Sequence, residues 1–157
     1  MIIYRMNKTI EIISDSVEKT FEIGKRIGEL LEPEKIVCLT GPLGSGKTSL
    51  VKGIAAGMGA TRPKLVNSPT FVIINEYQGR LNIYHIDAYR INTIAEFAAL
   101  GFEDLSGPES VVLIEWADKV AEALKGFDCI YIDMQHNEVS SRKIKISGIN
   151  NAQALKG

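Results

Sequence analysis

A chain of 157 residues, 45% apolar and 24% charged, has the length and balance of one globular domain, and it lacks both the polarity of a disordered segment and the long apolar runs of a membrane protein. A net charge of −1 provides no global basic field to hold a polyanion by counterion release, so strong direct nucleic-acid binding is not expected. Cys38 and Cys129 each sit in an apolar run, without metal-site spacing or disulfide density, and the N-terminus carries no export-signal pattern; a reducing, cytoplasmic setting is expected.

The stretch 9-TIEII-13 has strand character, and 14-SDSVEKTFEIGKRIGELL-31 carries a helical stripe at Val17, Phe21, Ile23, Ile27, Leu30 and Leu31. Asp15 with Glu18 three residues later suggests a capping box, and Pro33 limits the helix downstream. The apolar run 35-KIVCLT-40 predicts a buried strand, and 47-KTSLVKGIAAGM-58 a second helix ending near Gly57 and Gly59. Next, 70-TFVIINEY-77 and 81-LNIYHID-87, split by Gln78-Gly79-Arg80, predict a β-hairpin. A short helix over 92-NTIAEFAAL-100 stops at Gly101, and a loop through Gly107-Pro108 leads to the strand 111-VVLIE-115. Residues 118-DKVAEALK-125 read as a helix, and 129-CIYIDM-134 pairs with 142-RKIKIS-147, whose basic residues form one solvated strand face. The last ten or so residues are expected to fray. Alternating strands and helices argue for one α/β domain over 1–157, a three-layer sandwich whose central sheet is largely parallel and is made mixed by the hairpin.

The segment 40-TGPLGSGKTSLVKG-53 contains Gly41, Gly46, Lys47 and Thr48 in the G-x-x-x-x-G-K-[ST] pattern, between a strand and a helix as its mechanism requires. Glycines let backbone N–H groups close around phosphate oxygens where a Cβ would obstruct, and the helix start adds its positive dipole end. The nucleotide cradle therefore comprises Gly41, Leu43, Gly44, Ser45, Gly46, Lys47, Thr48 and Ser49, with Lys47 neutralising the β/γ-phosphates and the Thr48 hydroxyl ligating Mg²⁺.

A triphosphate site also needs a carboxylate near the metal and a group to orient water, both at the carboxyl ends of strands. Asp87, closing 83-IYHID-87, and Glu115, closing an apolar run where a carboxylate needs solvent, a cation or a donor, are the candidates. His85 shares a strand face with Asp87 and reads as a core histidine, and Trp116 as packing or lining near the site. In nucleotide switches a threonine between the loop helix and the next strands senses the γ-phosphate, and 67-NSPTFV-72 offers Thr70. The residues leave open whether Asp87 meets the metal directly or through water.

These residues in order, 41-GPLGSGKT-48, 68-SPTF-71 with 75-NEY-77, 85-HIDAYR-90, 96-EFAALGFEDL-105 and 113-LIEW-116, resemble the TsaE (YjeE) family of P-loop ATPases from bacterial tRNA threonylcarbamoyladenosine synthesis, over roughly residues 10 to 147. The resemblance implies ATP and Mg²⁺ as ligands, Thr48 and Glu115 as the metal-binding side chains, Asp87 as a Walker-B-like acid supporting hydrolysis, and Thr70 as the switch threonine. It further implies Arg142 and the helix start around Val17 near the base and ribose. Family members work with the TsaD–TsaB pair, which places a threonylcarbamoyl group on adenosine 37 of tRNAs reading codons that begin with adenine; hydrolysis lets that assembly turn over, and tRNA is met through the partners. Pro42 stands where the family loop often carries an acid, and Ala117 where proline is frequent; both alter loop rigidity and remove no phosphate or metal ligand. Two rival nucleotide-using classes fit less of the chain, and a module that holds nucleotide without turnover, indifferent to Asp87→Ala, is a third reading. A small nucleotide kinase would carry an arginine-rich lid, and a GTPase an Asn-Lys-x-Asp-type guanine reader; the sequence contains neither.

Overall fold

The computed structural model describes residues 9–61 and 74–156. Thr70 and the Ser-Pro-Thr-Phe segment lie outside the described residues, as do residues 70–73 of the expected first hairpin strand. Among the described residues, seven strands form one sheet: β1 (Ile10–Ser14), β2 (Ile36–Thr40), β3 (Ile74–Gln78), β4 (Asn82–Asp87), β5 (Ser110–Glu115), β6 (Cys129–His136) and β7 (Arg142–Ser147). Their spatial order is β1-β7-β6-β2-β5-β4-β3. The centre, β6-β2-β5-β4, is parallel, and both flanks are antiparallel: the β3–β4 hairpin on one side, β6–β7 and β7–β1 on the other.

The period-two alternation of the central strands divides the core between two faces. Val37 and Leu39 of β2, with Val111 and Leu113 of β5, pack under α1 (Val17–Leu30) and α2 (Lys47–Gly57). Ile36, Cys38, Val112 and Ile114 turn to the opposite layer. There α3 (Ile94–Ala99), the one-turn α4 (Phe102–Leu105) and a 3-10 segment, Ala117–Leu124, cover the sheet. The expected three-layer α/β architecture with a mixed sheet is therefore present. In β7, Ile144 and Ile146 are buried while Lys145 is exposed, as the basic alternation required.

Several local expectations are corrected. The cap of α1 is Ser16, whose hydroxyl accepts from the Lys19 N–H at 3.1 Å; the helix begins one residue later than an Asp15–Glu18 box would place it. The buried face of α1 runs through Thr20, Ile23, Gly24, Ile27 and Gly28; Val17, the first residue of the helix, is 66% exposed and lines the cavity rather than the core. Backbone-to-backbone packing against α2 makes glycine the buried residue type there. The segment read as a helix over 118–125 is 3-10 and broken at Val120 (φ −121°, ψ 20°). It buries Ala117, Val120 and Leu124 against the sheet, and Trp116 before it supplies no side-chain cap. The stretch after Gly101, read as loop, begins with α4, whose Phe102 ring packs at a tilt against Phe97 and Phe127, with centroids 4.9 and 5.0 Å apart. The chain end, expected to fray, forms a 3-10 turn over Ala152–Lys156, because Ala152 and Leu155 bury against the α1 face of the sheet.

Candidate functional site

The loop after β2 turns directly into α2 at the carboxyl end of the parallel strands. Gly46 caps α2 at φ +100°, a left-handed conformation, with no side-chain cap and no acidic residue in the first turn. The positive end of an eleven-residue helix thus faces the loop unneutralised. Gly41 adopts φ +138°, and a Cβ there would lie 2.2 Å from the Met134 carbonyl oxygen. Both positions demand glycine.

Lys47, almost fully buried, donates to the carbonyls of Gly41 (2.6 Å) and Pro42 (3.0 Å), and its Nζ lies 4.3 Å from the centroid of the Trp116 ring. Burial pushes its pKa below the ordinary lysine value, opposed by the charges of Glu115, Asp87 and Asp118. Beneath the loop the Ser45 hydroxyl is buried and has no hydrogen-bond partner, alone in this among the described side chains.

Strands β4 and β5 end side by side with Asp87 opposite Glu115, and Glu115 in turn lies opposite Leu39 of β2. Asp87 accepts from the Tyr89 N–H at 2.9 Å. Its carboxyl is pushed above the ordinary aspartate value, first by burial and then by the charge of Glu115, against the Tyr89 N–H, His85 and Lys47. Glu115, 2% exposed, finds the donor its apolar strand called for in His85 Nε2, at 2.7 Å. The core histidine of the sequence reading is thus bonded to a site carboxylate.

Loop and carboxylates line one cavity of about 500 Å³. Of the residues singled out in the sequence, Leu43, Gly44, Gly46, Lys47, Thr48 and Ser49 line it from the loop, Asp87 and Glu115 from the strand ends. Val17 and Arg142 line it as well, and an Arg142 guanidinium nitrogen stands 3.3 Å from the Gly44 carbonyl as donor. Gly41 lies instead on a shallower hollow with Asp118 and Asp133, and Ser45 is interior.

Five further lining residues were missed: Ser14, Ser16, Thr20, Tyr89 and Ser140. Ser14 and Thr20 share a 2.7 Å hydrogen bond that closes the cavity floor at the start of α1, a contact with no local sequence signature. Tyr89 stood inside 85-HIDAYR-90 without a role; its ring packs on Trp116 at 5.0 Å. Trp116 reaches the cavity from a left-handed backbone (φ 59°) that an apolar strand pattern does not announce. The cavity falls within the volume range of ordinary small-ligand sites. Among the described residues no three His, Cys, Asp or Glu side chains gather as a metal cage. Magnesium usually takes only one or two carboxylates and completes its shell with water and phosphate oxygens, and Thr48 and Glu115 both line this cavity.

These features define a P-loop-like α/β protein. A model of the TsaE family, described as "Threonylcarbamoyl adenosine biosynthesis protein TsaE", matches residues 14–144. The chain is 38% identical over 112 residues to the tRNA threonylcarbamoyladenosine biosynthesis protein TsaE of Treponema pallidum, covering 71% of this chain and 82% of that protein. It is 31% identical over 137 residues to the Aquifex aeolicus protein of the same name, covering 87% and 94%. The crystal structure of Bacillus subtilis YdiB superposes with a TM-score of 0.72 at 29% identity, covering 97% of this chain and 94% of that one. The chain belongs to the TsaE family of tRNA threonylcarbamoyladenosine biosynthesis. No helix among the described residues is long and apolar enough to cross a membrane.

Proposed function

We propose that the chain binds and hydrolyses ATP as the nucleotide-driven subunit of the threonylcarbamoyl-transferring assembly, acting with a TsaD–TsaB pair that handles the tRNA. The observation that carries this reading is the convergence, on one cavity, of the Lys47 loop with the two strand-end carboxylates Asp87 and Glu115. The loop N–H groups and the start of α2 bind the phosphates, and Lys47 trades its bonds to the Gly41 and Pro42 carbonyls for phosphate oxygens. Thr48 and Glu115 would hold Mg²⁺, which supplies charge neutralisation to the phosphates. Asp87, made more basic by its burial, orients the attacking water and takes its proton. Thr70 serves as the γ-phosphate-sensing threonine. Val17, 66% exposed at the cavity rim, and Arg142 form the side that receives base and ribose. Two buried free thiols and a tRNA target suit a cytoplasmic setting.

The test is ATP hydrolysis by the chain alone, with TsaD–TsaB, and with TsaD–TsaB plus tRNA. Slow turnover alone and stimulation by the pair are expected. Turnover indifferent to the pair would contradict the partnership, and absence of turnover in all three conditions would contradict the ATPase reading.

A further inference from the structure

Glu115 does not stand alone. His85 Nε2 meets its Oε2 at 2.7 Å, and the other ring nitrogen, Nδ1, meets the Tyr77 hydroxyl at 3.3 Å. The register explains the chain. His85 lies opposite Leu113, so Glu115, two residues on, is its diagonal neighbour on the same sheet face. His85 also lies opposite Asn75, which makes Tyr77 the diagonal neighbour on the other side. Tyr77, His85 and Glu115 therefore cross β3, β4 and β5 in one oblique line, on the face that α2 covers. His85 is 0% exposed and its side chain lines no part of the cavity, so direct contact with nucleotide is excluded.

We propose that His85 is a positioning residue for the metal-side carboxylate: its Nε2–H fixes the rotamer of Glu115, and the Tyr77 hydroxyl fixes the ring. A carboxylate only accepts hydrogen bonds, so the ring proton facing it sits on Nε2, and Nδ1 is the nitrogen left to meet the tyrosine. Full burial and the two ring hydrogen bonds fix the imidazole, and the carboxylate is thereby held without the entropy a lone glutamate would lose on meeting an ion. Residues that orient ligand side chains in this way typically contribute about 10- to 100-fold to metal affinity. The inference rests on the reading of Glu115 as a metal-side residue.

The experiment is a Mg²⁺ titration of ATP binding to the full chain, followed through Trp116, the only tryptophan. His85→Gln, His85→Asn and His85→Leu are compared, with ATP affinity in chelator as the control. A glutamine amide reaches the Nε2 position and an asparagine amide only that of Nδ1. Asn and Leu should raise the half-saturating Mg²⁺ about tenfold or more. Gln should shift it much less, and metal-free ATP affinity should hold in all three. Equal shifts in Gln and Asn, or shifts mirrored by equal losses without metal, would overturn the proposal while leaving the ATP site intact. Wild-type binding indifferent to Mg²⁺ would overturn both the proposal and the metal role of Glu115. Should the His85 variants fail to fold, Tyr77→Phe, which loses only a hydroxyl, should shift the Mg²⁺ midpoint in the same direction, and an unchanged midpoint would overturn the proposal.

Discussion

Lys47 and Asp87 are held in environments that work against their own charges. Burial desolvates the lysine and the aspartate alike, so both are displaced toward their neutral forms. For Asp87 the folded pKa lies above the unfolded one. Its ionisation therefore lowers stability as pH rises through that window, and the penalty is absent below the ordinary aspartate value, where both states are protonated. Asp87→Asn keeps an oxygen for the Tyr89 N–H and removes the charge. Its melting temperature should exceed that of the wild type at pH 7, with the gap closing below about pH 4, while hydrolysis stalls. Thermal melts at the two pH values decide, and a gap that widens toward acid would contradict the sign. At this scale the loop was legible because Gly41, Gly46, Lys47 and Thr48 fall within eight residues in a chemically specific pattern. The His85–Glu115 bond was not, because the partners are 30 residues apart and only strand register brings them together.

The two helices of the loop side meet through backbone. A Cβ on Gly53 would fall 2.2 Å from the Phe21 carbonyl oxygen, and one on Gly24 would fall 2.4 Å from that of Leu50. In the segments 24-GKRIG-28 and 53-GIAAG-57 the glycines recur every four residues and so share one helix face. An apolar-stripe reading passes over them, since glycine carries no hydrophobic signal. Alanine is the better helix former by about 0.5–1 kcal/mol, but the clashing atoms are carbonyl oxygens that cannot rotate aside. Gly53→Ala should therefore destabilise by about 1–3 kcal/mol net of that gain, as α2 is displaced from α1. Nucleotide affinity should fall too, because α2 carries Lys47 and the start of α1 carries Ser16 and Val17 on the same cavity. Urea unfolding checks it; a midpoint equal to the wild type would contradict the backbone contact. Arg80, in the hairpin turn, ties the other end of this pair by donating to the Gly28 and Leu31 carbonyls at 2.8 and 2.6 Å.

In the whole molecule the parallel centre does the positioning. Strands β2, β4 and β5 end together, so residues 40–48, Asp87 and Glu115 converge although the sequence spreads them over some seventy positions. Strand identities were legible because each apolar run is short and bounded by turn residues. Sheet order, the left-handed Trp116 and the 3-10 character of Ala117–Leu124 were not, because they depend on which distant strand or helix each segment packs against. The chain is near-neutral overall, and its cavity of about 500 Å³ opens where β2, β4 and β5 end. The central claim is that one ammonium group and a loop of backbone amides grip a nucleoside triphosphate. Calorimetric titration of Mg·ATP into the wild type and Lys47→Ala tests it directly. Wild-type binding weakened about 10- to 100-fold or more in the variant, the loss expected for a charge-assisted contact, is the predicted result. Equal affinities, or no binding by the wild type, would contradict it.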